Sequence, residues 1–158
     1  DNYYGLMSAF VEDHIGLKVV TAFSSNGKNN SKLPVTQAMM VLNDIHDGRF
    51  LSMMNATLLT AIKTGAVSGA AIRHLKPNTK NVGLVGTGLQ GFYQLIAAVE
   101  AADIENIYLY NRTPSKGEKF TDDLSAVLSK DINIVALDTV EEVVGSAETI
   151  VTATTSSN

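Results

Sequence analysis

Three glycines in the middle of the chain have the spacing of a nucleotide-binding turn. Residues 86–91 read G-T-G-L-Q-G, directly after a short apolar run and before an amphipathic stretch. In such a turn Gly86 makes the tight bend, Gly88 lets the backbone approach a pyrophosphate, and Gly91 allows the next helix to pack closely on the strand. The N–H groups at the start of that helix would face the phosphates. The spacing and its context predict a dinucleotide site; the alternative is a purely structural strand–helix turn.

The residues after the next apolar run bear on the choice between NAD and NADP. About 20 residues past the glycine turn, an acid would hydrogen-bond the ribose hydroxyls of NAD, whereas an arginine would accommodate the 2′-phosphate of NADP. This chain has Asn111, Arg112 and Thr113 there, with Lys116 nearby and no acid. The residues favour NADP(H) over NAD(H). The alternative is that Arg112 is only a solvated loop charge.

Strand and helix patterns alternate from residue 82 onward, which predicts a parallel sheet. The apolar runs 82–85, 107–110, 132–136 and 149–153 are the predicted strands. Pro114 suits the first position of a helix after the second strand. The run from Thr139 to Glu142 has the pattern of a capping box, which predicts a helix before the last strand.

The first third of the chain has a different pattern, a small and mostly antiparallel sheet followed by a long helix. Strands are predicted at 18–23, around 41–42 and at 50–54, with Asp-Gly at 47–48 as a hairpin signal. Residues 1–16 fit a short helix or a loop, and 24–32 have the composition of a loop. Apolar spacing predicts a helix over 57–75 with Asn55 as N-cap, and its small central residues would admit another backbone or a ligand.

Composition excludes several classes of function. The 158 residues carry a net charge of -4, which argues against nucleic acid as a partner, and contain no cysteine. Thiol chemistry, thiolate metal sites and disulfides are therefore excluded, and the histidines have no metal-ligand spacing. We find neither a run of about 18 apolar residues nor a signal peptide, which predicts a cytoplasmic protein without a membrane partner. The chain begins without Met and ends after a strand-like run, so we interpret it as a piece of a longer protein.

Several stretches, taken in order, resemble the ornithine cyclodeaminase/mu-crystallin family from about residue 16 onward. Residues 16–20, GLKVV, resemble the family's strand with a substrate-binding lysine, and Leu-Pro at 33–34 with Gln-Ala at 37–38 resemble the segment before its next strand. Residues 59–68, LTAIKTGAVS, resemble its signature helix start, usually L-T-A-x-R-T-A-A-x-S. The glutamine of the glycine turn resembles the family's G-x-G-x-Q-A, and N-R-T at 111–113 resembles the loop of its NADPH-binding members.

The resemblance implies an α/β fold. We expect a Rossmann-type parallel sheet, truncated after its fourth strand, at residues 77–158. Before it, residues 1–76 would form a mostly antiparallel α+β segment of a substrate-binding and dimerisation domain, with a linking helix. Members of this family are homodimers whose catalytic segments come from both ends of the chain.

The resemblance also assigns site residues. Lys18 would contact the substrate carboxylate or its carbonyl-like centre, and Lys63 stands where the family has a substrate-binding arginine. A lysine holds a carboxylate as a point charge and not by a bidentate fork, so this departure points to a different substrate or a degenerate site. The family's catalytic aspartate lies beyond residue 158. The predicted cofactor-binding residues are Thr36, Thr64, Gly86, Thr87, Gly88, Leu89, Gln90, Gly91, Asn111, Arg112, Thr113, Lys116, Thr154 and Thr155.

Each lysine also has a simpler interpretation. Lys18 could be the charge that protects an edge strand from pairing, and Lys63 could be a solvated helix charge. The leading hypothesis is an NAD(P)-dependent enzyme that acts on a small amino acid through an imine, with ornithine cyclodeaminase, which forms L-proline and ammonia from L-ornithine, as the particular activity. The alternatives are an alanine dehydrogenase, a ketimine reductase, or a protein that binds NADPH and a small ligand without turnover, like mu-crystallin.

Overall fold

The computed structural model describes residues 2–27 and 33–154, and the chain divides by contact into two compact units. The boundary lies between Thr60 and Ala61, near the start of the long helix α1, Thr57–Leu75. No helix in the described ranges combines the length and the apolar character that a membrane crossing requires.

The first unit is an antiparallel sheet of four strands in the order β1-β2-β3-β4. These are β1 (Asn2–Val11), β2 (His14–Phe23), β3 (Thr36–Asp44) and β4 (Phe50–Asn55), with a 3-10 turn at Ser24–Gly27. The antiparallel sheet and the 47–48 hairpin are thus confirmed, and Gly48 has the positive φ that this turn requires. The rest of the predicted 24–32 loop lies outside the described residues.

Strand β1 corrects the prediction of a short helix or loop at the start of the chain. All ten residues of β1 pair in register with β2, from Asn2 opposite Phe23 to Val11 opposite His14. Apolar residues occur on both faces of β1, so its sequence lacks the strict alternation that marks a half-buried strand. Met7, Phe10 and Val11 therefore resembled one side of a helix.

The second unit is built on a parallel sheet in the order β7-β6-β5-β8. Its strands are β5 (Asn81–Val85), β6 (Asn106–Tyr110), β7 (Asn133–Ala136) and β8 (Thr149–Thr152). The helices α2 (Leu89–Ala101), α3 (Pro114–Ser125) and α4 (Val140–Ser146) connect them. This is the 3-2-1-4 strand order of the first part of a Rossmann sheet, which confirms the predicted fold class.

Most of α1 packs on the parallel sheet's first helix. A Cβ on Gly69 would lie 2.8 Å from the carbonyl oxygen of Ala97, and a Cβ on Gly65 would lie still closer to the carbonyl oxygen of Tyr93. The small residues in α1 therefore admit another backbone, one of the two options that the sequence left open. The division by contact falls at 60/61, and this glycine packing accounts for the grouping of most of α1 with α2. The domain boundary at 76/77 stays a prediction.

The amino-terminal edge of the parallel sheet is held by polar side chains that the sequence analysis did not single out. Asn81, Asn106 and Asn133 are direct neighbours across three strands and form a ladder of amide hydrogen bonds of 2.8 and 3.0 Å. Glu148, just before β8, accepts hydrogen bonds from the backbone N–H groups of Lys80 and Asn81. These contacts fix the strand register at the edge opposite the glycine turn.

Candidate cofactor and substrate sites

The glycine turn has the geometry that its spacing predicts. Gly86 follows β5 with a φ of 101°, a conformation that favours glycine, and a Cβ there would lie 2.7 Å from the carbonyl oxygen of Ala153. A Cβ on Gly91 would lie 2.6 Å from the carbonyl oxygen of Gly86. Both positions therefore require glycine for steric reasons, the first for the bend and the third for helix–strand packing.

Gly88 differs from both, because it faces open space. Apart from its chain neighbours, none of the described residues places a heavy atom within 4 Å of the point where its Cβ would be, and Gly88 is the N-cap of the 13-residue helix α2. Two buried side-chain oxygens flank it, Oγ1 of Thr87 and Oε1 of Gln90, and neither has a hydrogen-bond partner among residues 2–27 and 33–154. Buried polar atoms are almost always paired. An open backbone surface at a helix N-terminus, beside two unpaired polar atoms, fits the pyrophosphate of a dinucleotide.

The carboxyl ends of three strands meet at this turn. The N–H of Gly86 donates to the carbonyl oxygen of Tyr110 at the end of β6, over 3.0 Å, and Ala153 after β8 donates to Val85 over 2.9 Å. Thr154 lies beside Gly86, with its Cγ2 3.2 Å from the point that a Cβ on Gly86 would occupy. Strand order reverses between β5 and β8, and in open α/β sheets ligands bind at such a crevice.

The loop after β6 carries the positive charge that the sequence predicts. Asn111 donates from Nδ2 to the carbonyl oxygen of Thr113 over 2.8 Å, which closes a short turn around the exposed Arg112. No acid lies within salt-bridge distance of Arg112 in the described ranges. Thr113 is the N-cap of α3 without a side-chain hydrogen bond, and Lys116 lies in the first turn. The loop can therefore offer a free guanidinium to an anion.

A groove of about 720 Å³ runs from the glycine turn between α2 and α3. Its floor is aromatic, with Phe92 and Phe120 in edge-to-face contact at 5.8 Å between ring centroids. Lys116 and Lys119 are also part of its lining, and Lys119 pairs with Asp123. The sequence analysis did not identify Lys119 or Ser115 as lining residues; the signal was the spacing of 115, 116 and 119 on one side of α3.

Lys18 occupies a central strand, which contradicts the interpretation of an edge-strand charge. Strand β2 pairs with β1 on one side and β3 on the other, and Lys18 lies directly between Met7 and Met40. The next strand places Met54 opposite Met40, so the lysine sits partly buried in a row of methionines. No carboxylate of the described residues pairs with it. A charged group held among apolar neighbours without a counter-ion is suited to bind an anionic ligand.

The remaining predicted residues of the described ranges lie on α1 and β3. Lys63 is exposed on α1, about 200° around the helix from the buried Gly65, so it projects away from α2. Thr64 lies on the turn of α1 that meets Tyr93 of α2. Thr36 begins β3 in the first unit. The roles of these residues remain predictions, and Thr155 lies outside the described residues.

The fold and the turn define the class, a Rossmann-type dinucleotide-binding protein. The model of the ornithine cyclodeaminase/mu-crystallin family matches residues 1–158, so the chain belongs to this family. The resemblance inferred from the sequence is thus confirmed.

Three curated relatives have different activities. A Delta(1)-pyrroline-2-carboxylate reductase of Bacillus cereus is 36% identical over 146 residues, 90% of this chain and 43% of the relative. The mouse ketimine reductase mu-crystallin is 30% identical over 155 residues, 96% of this chain and 47% of the relative. An ornithine cyclodeaminase of Brucella abortus is 31% identical over 140 residues, 88% and 38% of the two chains. The chain thus spans less than half the length of the relatives.

A solved structure described as an archaeal alanine dehydrogenase dimer with bound NAD is also similar. It superposes with a TM-score of 0.83 at 28% identity, over 98% of this chain and 49% of that one. The family is thus one of NAD(P)-dependent enzymes on small amino acids and imines, and its members differ in the reaction.

Proposed function

We propose that the full-length protein is an NADP(H)-dependent reductase of a small cyclic imino acid, a ketimine reductase. The observation that carries the cofactor part is the open surface at Gly88, flanked by two glycines that steric contacts require. The 36% identity to a Delta(1)-pyrroline-2-carboxylate reductase favours a cyclic imine as substrate. When bound, the nicotinamide supplies the hydride for the C=N bond.

In this proposal the protein's own residues bind the cofactor and the substrate and orient them. The backbone N–H groups at the start of α2 hold the pyrophosphate, with Gln90 and Leu89 among the residues of that first turn. Arg112, Thr113 and Lys116 receive the 2′-phosphate, which underlies the preference for NADP(H). Lys18 binds the substrate carboxylate. We assign no catalytic acid or base among the described residues.

A second candidate is the ornithine cyclodeaminase activity that the sequence first suggested. The 31% identity to the Brucella enzyme favours it. Lys63 stands in place of the family arginine under either candidate function. It therefore does not discriminate between the two activities. A third candidate is a protein that binds NADPH and a small acid without turnover. The location in the cytoplasm stays a prediction.

A substrate panel on the full-length protein distinguishes these functions. With NADPH and Delta(1)-pyrroline-2-carboxylate, we expect the nicotinamide absorbance to fall and proline to form. Cyclodeamination of L-ornithine regenerates its cofactor and gives no net change in nicotinamide absorbance. This reaction is therefore measured by the ammonia that it releases. Oxidation of L-alanine with NADP⁺ would indicate an alanine dehydrogenase. Cofactor binding without any of these reactions would overturn the proposed enzyme.

A glycine pair tests the cofactor site separately. Gly88→Ala adds a methyl group to open space, so we expect an unchanged melting temperature without cofactor but at least tenfold weaker NADPH binding by calorimetry. Gly145→Ala is the matched control, because Gly145 on α4 also faces open space but lies outside the turn. Equal NADPH affinity in both variants would remove Gly88 from the site.

We also propose that the full-length protein is a homodimer. The similar alanine dehydrogenase is described as a dimer, and the family resemblance implies the same assembly. Sedimentation of the full-length protein tests this, and a monomer at micromolar concentration would contradict it.

A further inference from the structure

All five methionines of this chain lie in the N-terminal sheet. They are Met7 on β1, Met39 and Met40 on β3, and Met53 and Met54 on β4. Residues that pair directly in an antiparallel sheet share a face, and neighbours along a strand lie on opposite faces. The strand register therefore shows which methionines share a face with Lys18, the residue that binds the substrate carboxylate in the proposed function.

Met7 and Met40 are the two direct neighbours of Lys18 on its face of the sheet. Met7 lies opposite Lys18 on β1, and Met40 lies opposite it on β3. Directly paired side chains have Cβ atoms about 4.5–5.5 Å apart, a distance that a lysine and a methionine side chain easily span. Met40 packs against the small core of this sheet, whereas Met7 is 48% exposed on the outer strand β1. A dissolved oxidant therefore reaches Met7 more readily than Met40.

We propose that Met7 is an oxidation site and that its sulfoxide weakens the binding of the substrate carboxylate by Lys18. This inference rests on the proposed function, because it takes Lys18 as the group that binds this carboxylate. The oxidant is hydrogen peroxide, which transfers one oxygen atom to Sδ of Met7. The O–O bond breaks, an S–O bond forms, the thioether loses two electrons and the peroxide is reduced to water.

The two oxidation states of the sulfur differ in what they offer to the neighbouring ammonium. A thioether is a weak hydrogen-bond acceptor, so reduced Met7 leaves the ammonium of Lys18 to an anionic ligand. A sulfoxide is polar, and its oxygen accepts a hydrogen bond from that ammonium. Because hydrogen bonds with a charged partner are the stronger ones, the substrate carboxylate must then compete with an internal acceptor. We therefore expect KM for the cyclic imine to rise while kcat changes little.

Met39 provides a matched control on the opposite face of the sheet. It is 47% exposed, nearly the same as Met7, and its direct partners on both neighbouring strands are uncharged. Its face is open to solvent, since Met53 on the same face is 72% exposed. Oxidation of Met39 should therefore proceed without placing a sulfoxide beside Lys18.

The test treats three full-length proteins with hydrogen peroxide, namely the unmodified protein, Met7→Leu and Met39→Leu. Leucine keeps an apolar side chain that peroxide does not oxidise. After catalase has removed the peroxide, each sample is compared with its own untreated sample in the NADPH-dependent reduction of Delta(1)-pyrroline-2-carboxylate. We expect KM to rise at least fivefold in the unmodified protein and in Met39→Leu, but less than twofold in Met7→Leu. In all three proteins kcat and NADPH affinity should stay within twofold.

Peptide mass spectrometry measures the sulfoxide at Met7 independently of activity. We expect a methionine sulfoxide reductase to remove this sulfoxide and to return KM to its untreated value. An equal rise in KM for Met7→Leu and the unmodified protein would overturn the inference. On the unmodified protein alone, a rise in KM while Met7 stays reduced would overturn it, as would absence of the sulfoxide or full oxidation of Met7 with an unchanged KM. The inference thus stays testable if Met7→Leu does not fold.

Failure of this inference and failure of the proposed function give different results. If the untreated protein does not reduce the imine, or if Lys18→Met keeps its activity, the proposed function fails and this inference fails with it. If the untreated protein is active and depends on Lys18, but oxidation of Met7 leaves KM unchanged, only this inference is overturned.

Discussion

The two compact units of this chain bury apolar surface to very different extents. The parallel sheet and its helices enclose twelve buried residues around Leu84, Leu95 and Ile107, several of them fully inaccessible. The buried core of the N-terminal sheet comprises Val20, Ala38 and Ala56, with Met40 packed against it. Since apolar burial is the main favourable term in folding, the second unit has much the larger part of the stabilisation that this structure shows.

This difference in apolar burial indicates which residues stabilise each unit. The unit with the glycine turn has a buried core of its own residues, and close backbone contacts at Gly86 and Gly91 fix the turn against it. The N-terminal sheet leaves one face open, and Lys18 lies on the opposite face. The described residues of this sheet therefore contribute little buried apolar surface to its stability.

Two glycines at positive φ, one in each unit, should differ most when they are replaced. Gly86→Ala meets the carbonyl of Ala153, whereas Gly48→Ala meets nothing within 4 Å. We expect Gly48→Ala to cost about 1 kcal/mol for the backbone conformation alone, and Gly86→Ala about 2–5 kcal/mol with the overpacking added. Denaturant unfolding of the full-length variants measures both. Equal costs would mean that the turn is no more tightly packed than the hairpin.

A matched pair of valines in central strands tests the comparison of the cores. Val82 of β5 is fully buried, and Val20 of β2 is nearly so. We expect Val82→Ala to lower the free energy of unfolding by about 2–3 kcal/mol, because its cavity is enclosed on all sides. Val20→Ala should cost about 1 kcal/mol in a core that can relax. A larger cost at Val20 would show that the full-length protein completes this core.

Arg112→Ala should weaken the binding of NADPH more than the binding of NADH. In the proposed complex with NADP(H), loss of the guanidinium removes a charge-assisted hydrogen bond to the 2′-phosphate, worth about 1.5–3 kcal/mol, and we expect NAD(H) affinity to stay nearly unchanged. Calorimetric titration with NADPH and NADH measures the two affinities. Lys130→Ala is the control, because Lys130 is exposed and lies outside the groove lining and the loop after β6. If NADPH and NADH binding weaken equally, Arg112 does not select the cofactor.

The smallest expected effect is a change in the pH dependence of stability when Glu148 is replaced. The backbone N–H groups of Lys80 and Asn81 hold the pKa of this carboxyl below its usual value of 4.5. A pKa lowered by folding stabilises the native state above the usual value, and that contribution is lost as the pH falls through the native pKa. Glu148→Gln should therefore reduce stability at pH 7 and flatten its decline below pH 4.5. Glu141→Gln, at an exposed position on α4, is the control for the loss of one negative charge.

Local sequence patterns predicted the parallel half of the fold well, because each element there carries its own signal. The capping box of Thr139 and Glu142 is present as predicted, and Pro114 begins α3. The roles of Gly86 and Gly91 also followed from spacing. The close contact of Gly91 lies within the motif, at the carbonyl oxygen of Gly86, whereas Gly86 combines a positive φ with an approach to Ala153 after β8. Strand β1 was missed because its pairing with β2, and not its own alternation, determines its conformation.

Other features depend on contacts distant in the chain and were not predictable. Glu148 reaches Lys80 across 68 positions, and the asparagine ladder joins three strands. A single sequence gives no signal for such pairs beyond an asparagine at the start of each strand. The central place of Lys18 in its sheet likewise follows only from the strand order, which excluded the edge-strand interpretation.

The most direct test of the central claim is the full-length Lys18→Met variant, assayed for both halves of the proposed site. Methionine keeps the stem length among Met7 and Met40 and removes the charge. We predict at least a hundredfold loss of kcat/KM for the cyclic imine, with NADPH affinity and melting temperature nearly unchanged. Activity within a few fold of the unmodified enzyme would contradict the account and remove Lys18 from the substrate site.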